Sequence, residues 1–182
     1  MTEKTIKNTY TAADIDILEG LSGVRKRPAM YIGSTNSSGL HHLVWEVIDN
    51  GVDEALSGFG SKITVIIHKD GSLSVEDEGR GIPVDLHTQS NMPAVQLIFS
   101  TLHSGGKFSD AVYKSSAGLH GVGASVTNAL SEFLDVTIYR DSSIYHLRFE
   151  NGGKLVTPLE IIGKTNKHGT LVRFKPDATI FT

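Results

Sequence analysis

Residues 39–57, GLHHLVWEVIDNGVDEALS, carry the pattern around which the rest of the chain can be read. Leu40, Leu43, Val44, Val47, Ile48, Val52 and Ala55 recur at three- and four-residue intervals, so the spacing predicts one helix whose apolar stripe faces a core. At about 100° per residue, His42, Glu46, Asp49, Asn50 and Asp53 gather on the opposite side. Like charges at these intervals repel by roughly 0.2–0.5 kcal/mol per pair, so Glu46, Asp49 and Asp53 oppose the helix unless water or a cation answers them. The helix alone leaves both answers open. Glu46 and Asn50 stand one turn apart, which sets a carboxylate able to take a proton beside an amide oxygen able to bind a hard metal.

On the C-terminal side, residues 62–68 and 72–77 alternate as strands around an Asp70-Gly71 hairpin turn. Residues 77–83, DEGRGIP, follow at the strand end, where two glycines and a proline dictate a sharp turn with exposed backbone. Asp77 either caps that turn or, as an ionised acceptor, selects a ligand edge presenting a donor, such as the exocyclic amine of adenine. Guanine presents an oxygen there and would be repelled. A helix is expected over residues 93–102. Residues 104–118 show neither period, and so long a loop in a compact domain is either a functional lid or disordered. They lead into GLHGVG, residues 118–123, and a helical stretch over residues 124–130. A glycine-rich loop entering a helix can hold an anion, and can equally be a plain turn. It is not a dinucleotide fingerprint, for no strand precedes it; nor is there a Walker A sequence, since Gly105-Gly106-Lys107 is followed by Phe108. Residues 134–140 and 144–150 read as a hairpin turning at Asp141-Ser142-Ser143, and residues 154–161 and 170–175 complete the strands.

On the N-terminal side, Thr11 and Asp14 have capping-box spacing, and Ile15, Leu18 and Leu21 predict a short helix closing at Gly20 or Gly23. The string RKRPAMYIG, residues 25–33, opens with three cations that fit either a solvated turn or a phosphate site. Hairpin strands with helices before and between them argue for an α+β fold of two layers, a mixed sheet covered on one face by helices. One domain is expected over residues 11–182, preceded by a flexible arm over residues 1–10 whose one aromatic is Tyr10.

The 182 residues, 39% of them hydrophobic, suffice for one sizeable core. A formal net charge of −3 offers no broad footprint for nucleic acid or an anionic membrane, so any DNA would be gripped elsewhere. With no cysteine, disulfides, thiolate nucleophiles and cysteine-ligated zinc are excluded. The first ten residues lack the apolar core of a signal peptide, and no apolar run reaches membrane-spanning length. The expectation is a soluble, cytoplasmic protein with no membrane partner.

Taken together, the acidic helix with Glu46 and Asn50, then Asp77-x-Gly79-x-Gly81, then a loop and Gly118-x-x-Gly121-x-Gly123 stand in the order of the GHKL superfamily of ATP-binding folds, the Bergerat fold, which the chain resembles. The strings EVIDNGVDEAL, DEGRGIPV, LHSGGKF, GLHGVGASVTNALS and RKRPAMYIG are similar to the ATPase domain of bacterial type II topoisomerase B subunits. The likeness runs from about Tyr10 to the C-terminus, and YHLRFENGGK and FKPDATIF look more like topoisomerase IV than gyrase.

That resemblance implies ATP and magnesium as ligands. Glu46 would be the general base for the attacking water, His42 would orient it, and Asn50 would bind the magnesium ion. Asp77 would accept from the adenine amine with Thr170 assisting through water, while Gly81, Ile82, Pro83 and Ile98 would wall the adenine. Gly118, Leu119, His120, Gly121, Val122, Gly123 and Ala124 would wrap the phosphates, with Lys107 and Tyr113 contributing from the lid. Arg80, Glu54 and Arg140 would form a charged rim at the mouth, and Tyr10 would reach the nucleotide site of a second copy when two chains exchange arms. Ala29 and Ala117 stand where the family usually has glycine, and neither change removes a ligand group.

The family's ATPase domain continues past the equivalent of Thr182, and a following transducer domain supplies a lysine to the γ-phosphate. The resemblance therefore implies a trimmed fragment in which nucleotide binding outlasts hydrolysis. For the whole protein it implies ATP-driven dimer closure that gates DNA strand passage, with a topoisomerase A-type subunit and DNA as partners through other domains. A superfamily member of mismatch-repair, chaperone or kinase type and a non-catalytic nucleotide-sensing module stay open, although RKRPAMYIG, LHSGGKF and Glu46 speak against them. A dehydrogenase is the weakest option.

Overall fold

The computed structural model describes residues 20–104 and 122–182, and expectations that fall on residues 1–19 and 105–121 lie outside them. Two short helices, α1 (Gly20–Lys26) and α2 (Ala29–Ile32), precede the long α3 (Ser37–Leu56). Asn36 caps α3 by accepting from the Ser38 N–H at 2.9 Å, and Gly58, at φ +88°, turns the chain away after its end. Most of the helix expected to close at Gly20 or Gly23 lies outside the described residues; within them α1 runs on past a buried Gly23 to Lys26.

A hairpin of β1 (Ile63–Ile67) and β2 (Leu73–Asp77) follows, with Gly71 at φ +79° and Asp70 accepting from the Ser72 N–H at 3.0 Å in its turn. After α4 (Ala94–Ser100) and α5 (Gly123–Ala129) come β3 (Ser131–Arg140), β4 (Ser143–Glu150) and β5 (Lys154–Lys164) as a meander, and then β6 (Gly169–Pro176). Asp141 and Ser142 both take positive φ, 51° and 57°, which suits a tight two-residue hairpin between right-twisted strands.

The sheet order is β1-β2-β6-β3-β4-β5, and every neighbouring pair is antiparallel. The two-layer α+β class holds, but the sheet is antiparallel where a mixed one is expected. The reason is topological. β2 and β3 point the same way, as strands joined through helices should, yet β6 lies between them and pairs antiparallel with both.

Leu134, Val136, Ile138, Leu147, Phe149, Val172 and Phe174 line the covered face of the sheet and meet Leu43, Val47, Val95, Phe99 and Val126 from the helices, all of them buried. On the other face Arg148 pairs with Asp135 and Glu150 over the Phe133 ring, which leaves that side charged and solvated. Among the described residues no helix is long and apolar enough to cross a membrane.

Helix α3 departs from its expected faces in one respect that matters. Gly39, Leu43, Val47 and Gly51 form its buried line, Ala55 is exposed, and Asp53, expected on a solvent side, is fully buried. Asp53 stands two turns after Glu46, so both project from one flank, and that flank is turned into the protein.

Candidate functional site

Gly51 brings the middle of α3 against the end of β2: a Cβ there would lie 3.0 Å from Asp77 Cβ and 3.1 Å from Ile63 Cδ1. Between α3, the β2 end, α4, α5 and β6 opens a cavity of about 900 Å³, within the range of small-molecule sites. Glu46, Asn50 and Glu54, spaced by four, supply one wall from successive turns of α3.

Asp77 stands on the strand side of the cavity. Its Oδ1 accepts from the Gly79 N–H at 2.8 Å, and the Thr170 N–H of β6 also reaches its carboxylate. Burial nonetheless raises its pKa above the ordinary carboxylate range, and the Glu54 and Glu76 charges push the same way. Two amides occupy part of its acceptor capacity, and the remainder faces the cavity. Thr170 Oγ1 accepts from the Ile82 N–H at 3.2 Å, tying the Gly81-Ile82-Pro83 turn to β6. Gly81 has φ +77°, and a Cβ on it would meet the Tyr139 and Gly169 carbonyl oxygens at 3.0 and 3.1 Å, so the turn needs glycine.

The helix side is centred on Glu46. His42 Nε2 lies 3.1 Å from Glu46 Oε1, one turn earlier on α3. A Cβ on Gly123 would fall 1.8 Å from Glu46 Oε2, so the bare glycine backbone that starts α5 sits directly against the carboxylate. At the rim, Glu54 holds Arg80 three ways: Oε2 accepts from the Arg80 backbone N–H at 2.9 Å and from Nε at 3.0 Å, and Oε1 accepts from Nη2 at 2.8 Å. The Arg80 guanidinium also stacks 4.2 Å above the Phe59 ring. Arg140 Nη1 donates to the Gly81 carbonyl at 2.9 Å.

Of the residues singled out from sequence, Glu46, Asn50, Asp77, Arg80, Gly81, Ile82, Pro83, Ile98, Gly123, Ala124 and Thr170 line this one cavity, together with Glu54 and Arg140. His42 stands behind Glu46, and Val122, the N-cap residue of α5, packs partly against the core instead of lining the cavity. Tyr10, Lys107, Tyr113, Gly118, Leu119, His120 and Gly121 lie outside the described residues. Sequence reasoning missed His87, Gln89 and Ser90, which line the cavity from an irregular segment with no period to betray them. It also passed over His103 and Ser104, although both belong to the LHSGGKF string.

At the strand end Asp77 can accept from an amine-bearing ligand, and on the helix side the Asn50 amide oxygen could hold a divalent ion. Among the described residues no group of three His, Cys, Asp or Glu side chains could cage a metal. That is compatible with magnesium, which takes few protein ligands and completes its octahedron with phosphate oxygens and water. Asn50 offers one such ligand, and the missing side chain of Gly123 makes room for the Glu46 carboxylate.

The chain belongs to the histidine kinase-, DNA gyrase B- and HSP90-like ATPase family, whose sequence model matches residues 35–180. The DNA gyrase B subunit of Thermotoga maritima is 60% identical over 173 residues, covering 95% of this chain and 27% of that protein. The DNA topoisomerase 4 B subunit of Streptococcus pneumoniae is 59% identical over 185 residues, covering 100% of this chain and 28% of its own length. The 43K ATPase domain of Thermus thermophilus gyrase B, solved in complex with an aminocoumarin, superposes with a TM-score of 0.78 at 48% identity, over 88% of this chain and 40% of that one. The chain thus spans about a quarter of the length of these curated relatives. Identities of 60% and 59% do not separate gyrase from topoisomerase IV.

Proposed function

We propose that this chain binds and hydrolyses ATP with magnesium as part of a cytoplasmic type II topoisomerase, in its B-type subunit, and that its closure on ATP joins two copies and gates DNA strand passage. The observation that carries the reading is the meeting of Asp77, Asn50 and Glu46 on one cavity, with Gly123 bare against the Glu46 carboxylate.

In this reading Asp77 accepts a hydrogen bond from the adenine amine, and Ile82, Pro83 and Ile98 pack on the base. Asn50 gives its amide oxygen to the magnesium ion, which when bound neutralises charge on the phosphates. Glu46 takes the proton of the attacking water, worth about 10²- to 10⁴-fold in rate, and His42 holds the carboxylate in place. By the family resemblance, Gly118, Leu119, His120, Gly121, Gly123 and Ala124 would hold the phosphates, Lys107 and Tyr113 would add contacts to them, and Tyr10 would serve the second copy's site. A topoisomerase A-type subunit and DNA engage through parts of the protein that the relatives carry and this chain does not include.

Titration calorimetry with non-hydrolysable ATP and GTP analogues, each with and without magnesium, tests the nucleotide half of this reading. The ATP analogue is expected to bind, more tightly with magnesium, and the GTP analogue to bind far more weakly. Equal affinity for the two bases would remove Asp77 from base selection.

A further inference from the structure

We infer that Arg25 is a positioning residue for the Glu46 end of the cavity, acting through α5 and touching no ligand. The inference rests on the nucleotide reading above and extends it to RKRPAMYIG, no residue of which lines the cavity. Arg25 instead ties distant parts of the fold together. Its Nη1 donates to the Ala129 carbonyl at 2.8 Å and its Nη2 to Asp177 Oδ2 at 2.6 Å. The side chain passes over Gly152, where a Cβ would stand 2.5 Å from Arg25 Cδ. Asp177 donates its own N–H to the Leu130 carbonyl at 2.9 Å, and its Oδ1 accepts from the Thr179 N–H and hydroxyl at 2.9 and 2.6 Å.

The final carbonyls of α5 are therefore met by a cation and an amide from two remote segments, an arrangement that suits the negative end of a helix. At its other end no side chain among the described residues caps α5, and Gly123 abuts Glu46. A helix of seven residues is about 10 Å long and shifts as one piece, so the latch on Ala129 and Leu130 sets where Gly123 stands. Asp77, by contrast, is held by strands and turns that Arg25 does not reach.

The test uses R25A, R25K and D177N in this chain with two readouts. Calorimetry compares adenosine, which fills only the Asp77 end, with a non-hydrolysable ATP analogue in magnesium; backbone amide exchange across residues 124–128 is followed without ligand. For R25A the analogue should weaken about three- to tenfold while adenosine binds as in the wild type, and exchange across α5 should speed up. R25K, which keeps the charge but not the fork, should recover part of both, and D177N should fall between. Equal losses for adenosine and the analogue, or exchange unchanged in R25A, would overturn the latch. A wild-type chain that binds neither ligand would overturn the nucleotide reading and Arg25's part in it, with exchange still deciding whether the latch holds α5.

Discussion

The two ends of the cavity are built by different means. The Asp77 end is made of sheet and tight turn: strand register places the carboxylate, amides of Gly79 and Thr170 hold it, and Gly81 locks the turn onto β3 and β6. The Glu46 end is a helix-to-helix contact, in which α3 presents a carboxylate steadied by His42 and α5 presents bare backbone. Strand pairing fixes the first end, whereas the second depends on how a short helix is packed and held, along its length and at its ends. On the function proposed above, the first end would recognise a rigid base and the second would carry chemistry on a group that must enter, react and leave.

On that division, substitutions at the two ends should fail in different ways. The largest effect is expected for Glu46→Gln, which keeps the shape and removes the proton acceptor. Phosphate release in a chain extended to the length of the relatives should fall about 10²- to 10⁴-fold, with the affinity for an ATP analogue within a small factor of wild type. Turnover at the wild-type rate would take Glu46 out of the base role and with it the chemical assignment of that end.

Asp77→Asn should show the reverse pattern, with binding lost first. Replacing a charge-assisted hydrogen bond by a neutral one is expected to weaken the ATP analogue by about 1.5–3 kcal/mol, read by calorimetry, while discrimination against the guanine analogue shrinks. An unchanged ATP affinity would mean that the strand end does not read the base, and the contrast between the two ends would collapse.

What sequence could and could not reveal follows the same line between local and remote. The extent of α3, the Asp70-Gly71 turn and the Asp141-Ser142 turn are written in period and turn chemistry, and the structure has each within a few residues of where those signals put it. The cavity residues on α3 and the DEGRGIP turn were legible because the motif and the geometry share one short segment each. The burial of Asp53, the insertion of β6 between β2 and β3, and the contribution of His87, Gln89 and Ser90 are tertiary facts with no local signature. Arg25 is the sharpest case. Read locally, it belongs to a run of three cations, and its actual partner is Asp177 at the far end of the chain.

The smallest effect concerns stability, and it sharpens the comparison by asking what the Asp77 end costs the fold. Burial, aided by the Glu54 and Glu76 charges, raises the Asp77 pKa above its unfolded value of 3.8, despite the Gly79 and Thr170 amides. The folded protein then holds that proton more tightly than the unfolded chain, so stability from this group falls as pH rises from 3.8 through the folded pKa, and a constant penalty remains above it. Asp177 runs the other way: burial pushes its carboxyl up, but hydrogen bonds from Thr179 and Arg25 outweigh that and leave it below 3.8. Its contribution is present above 3.8 and is lost as pH falls through the lowered value. Thermal melts of unliganded wild type and Asp77→Asn between about pH 4 and pH 7 separate the two groups, because Asp177 is common to both proteins. The variant should melt higher at neutral pH, and its advantage should shrink towards pH 4 as the wild-type carboxyl takes up its proton. A variant that melts lower at neutral pH would show that the charged carboxylate stabilises its turn, and that the strand end of the cavity is no strain on the fold.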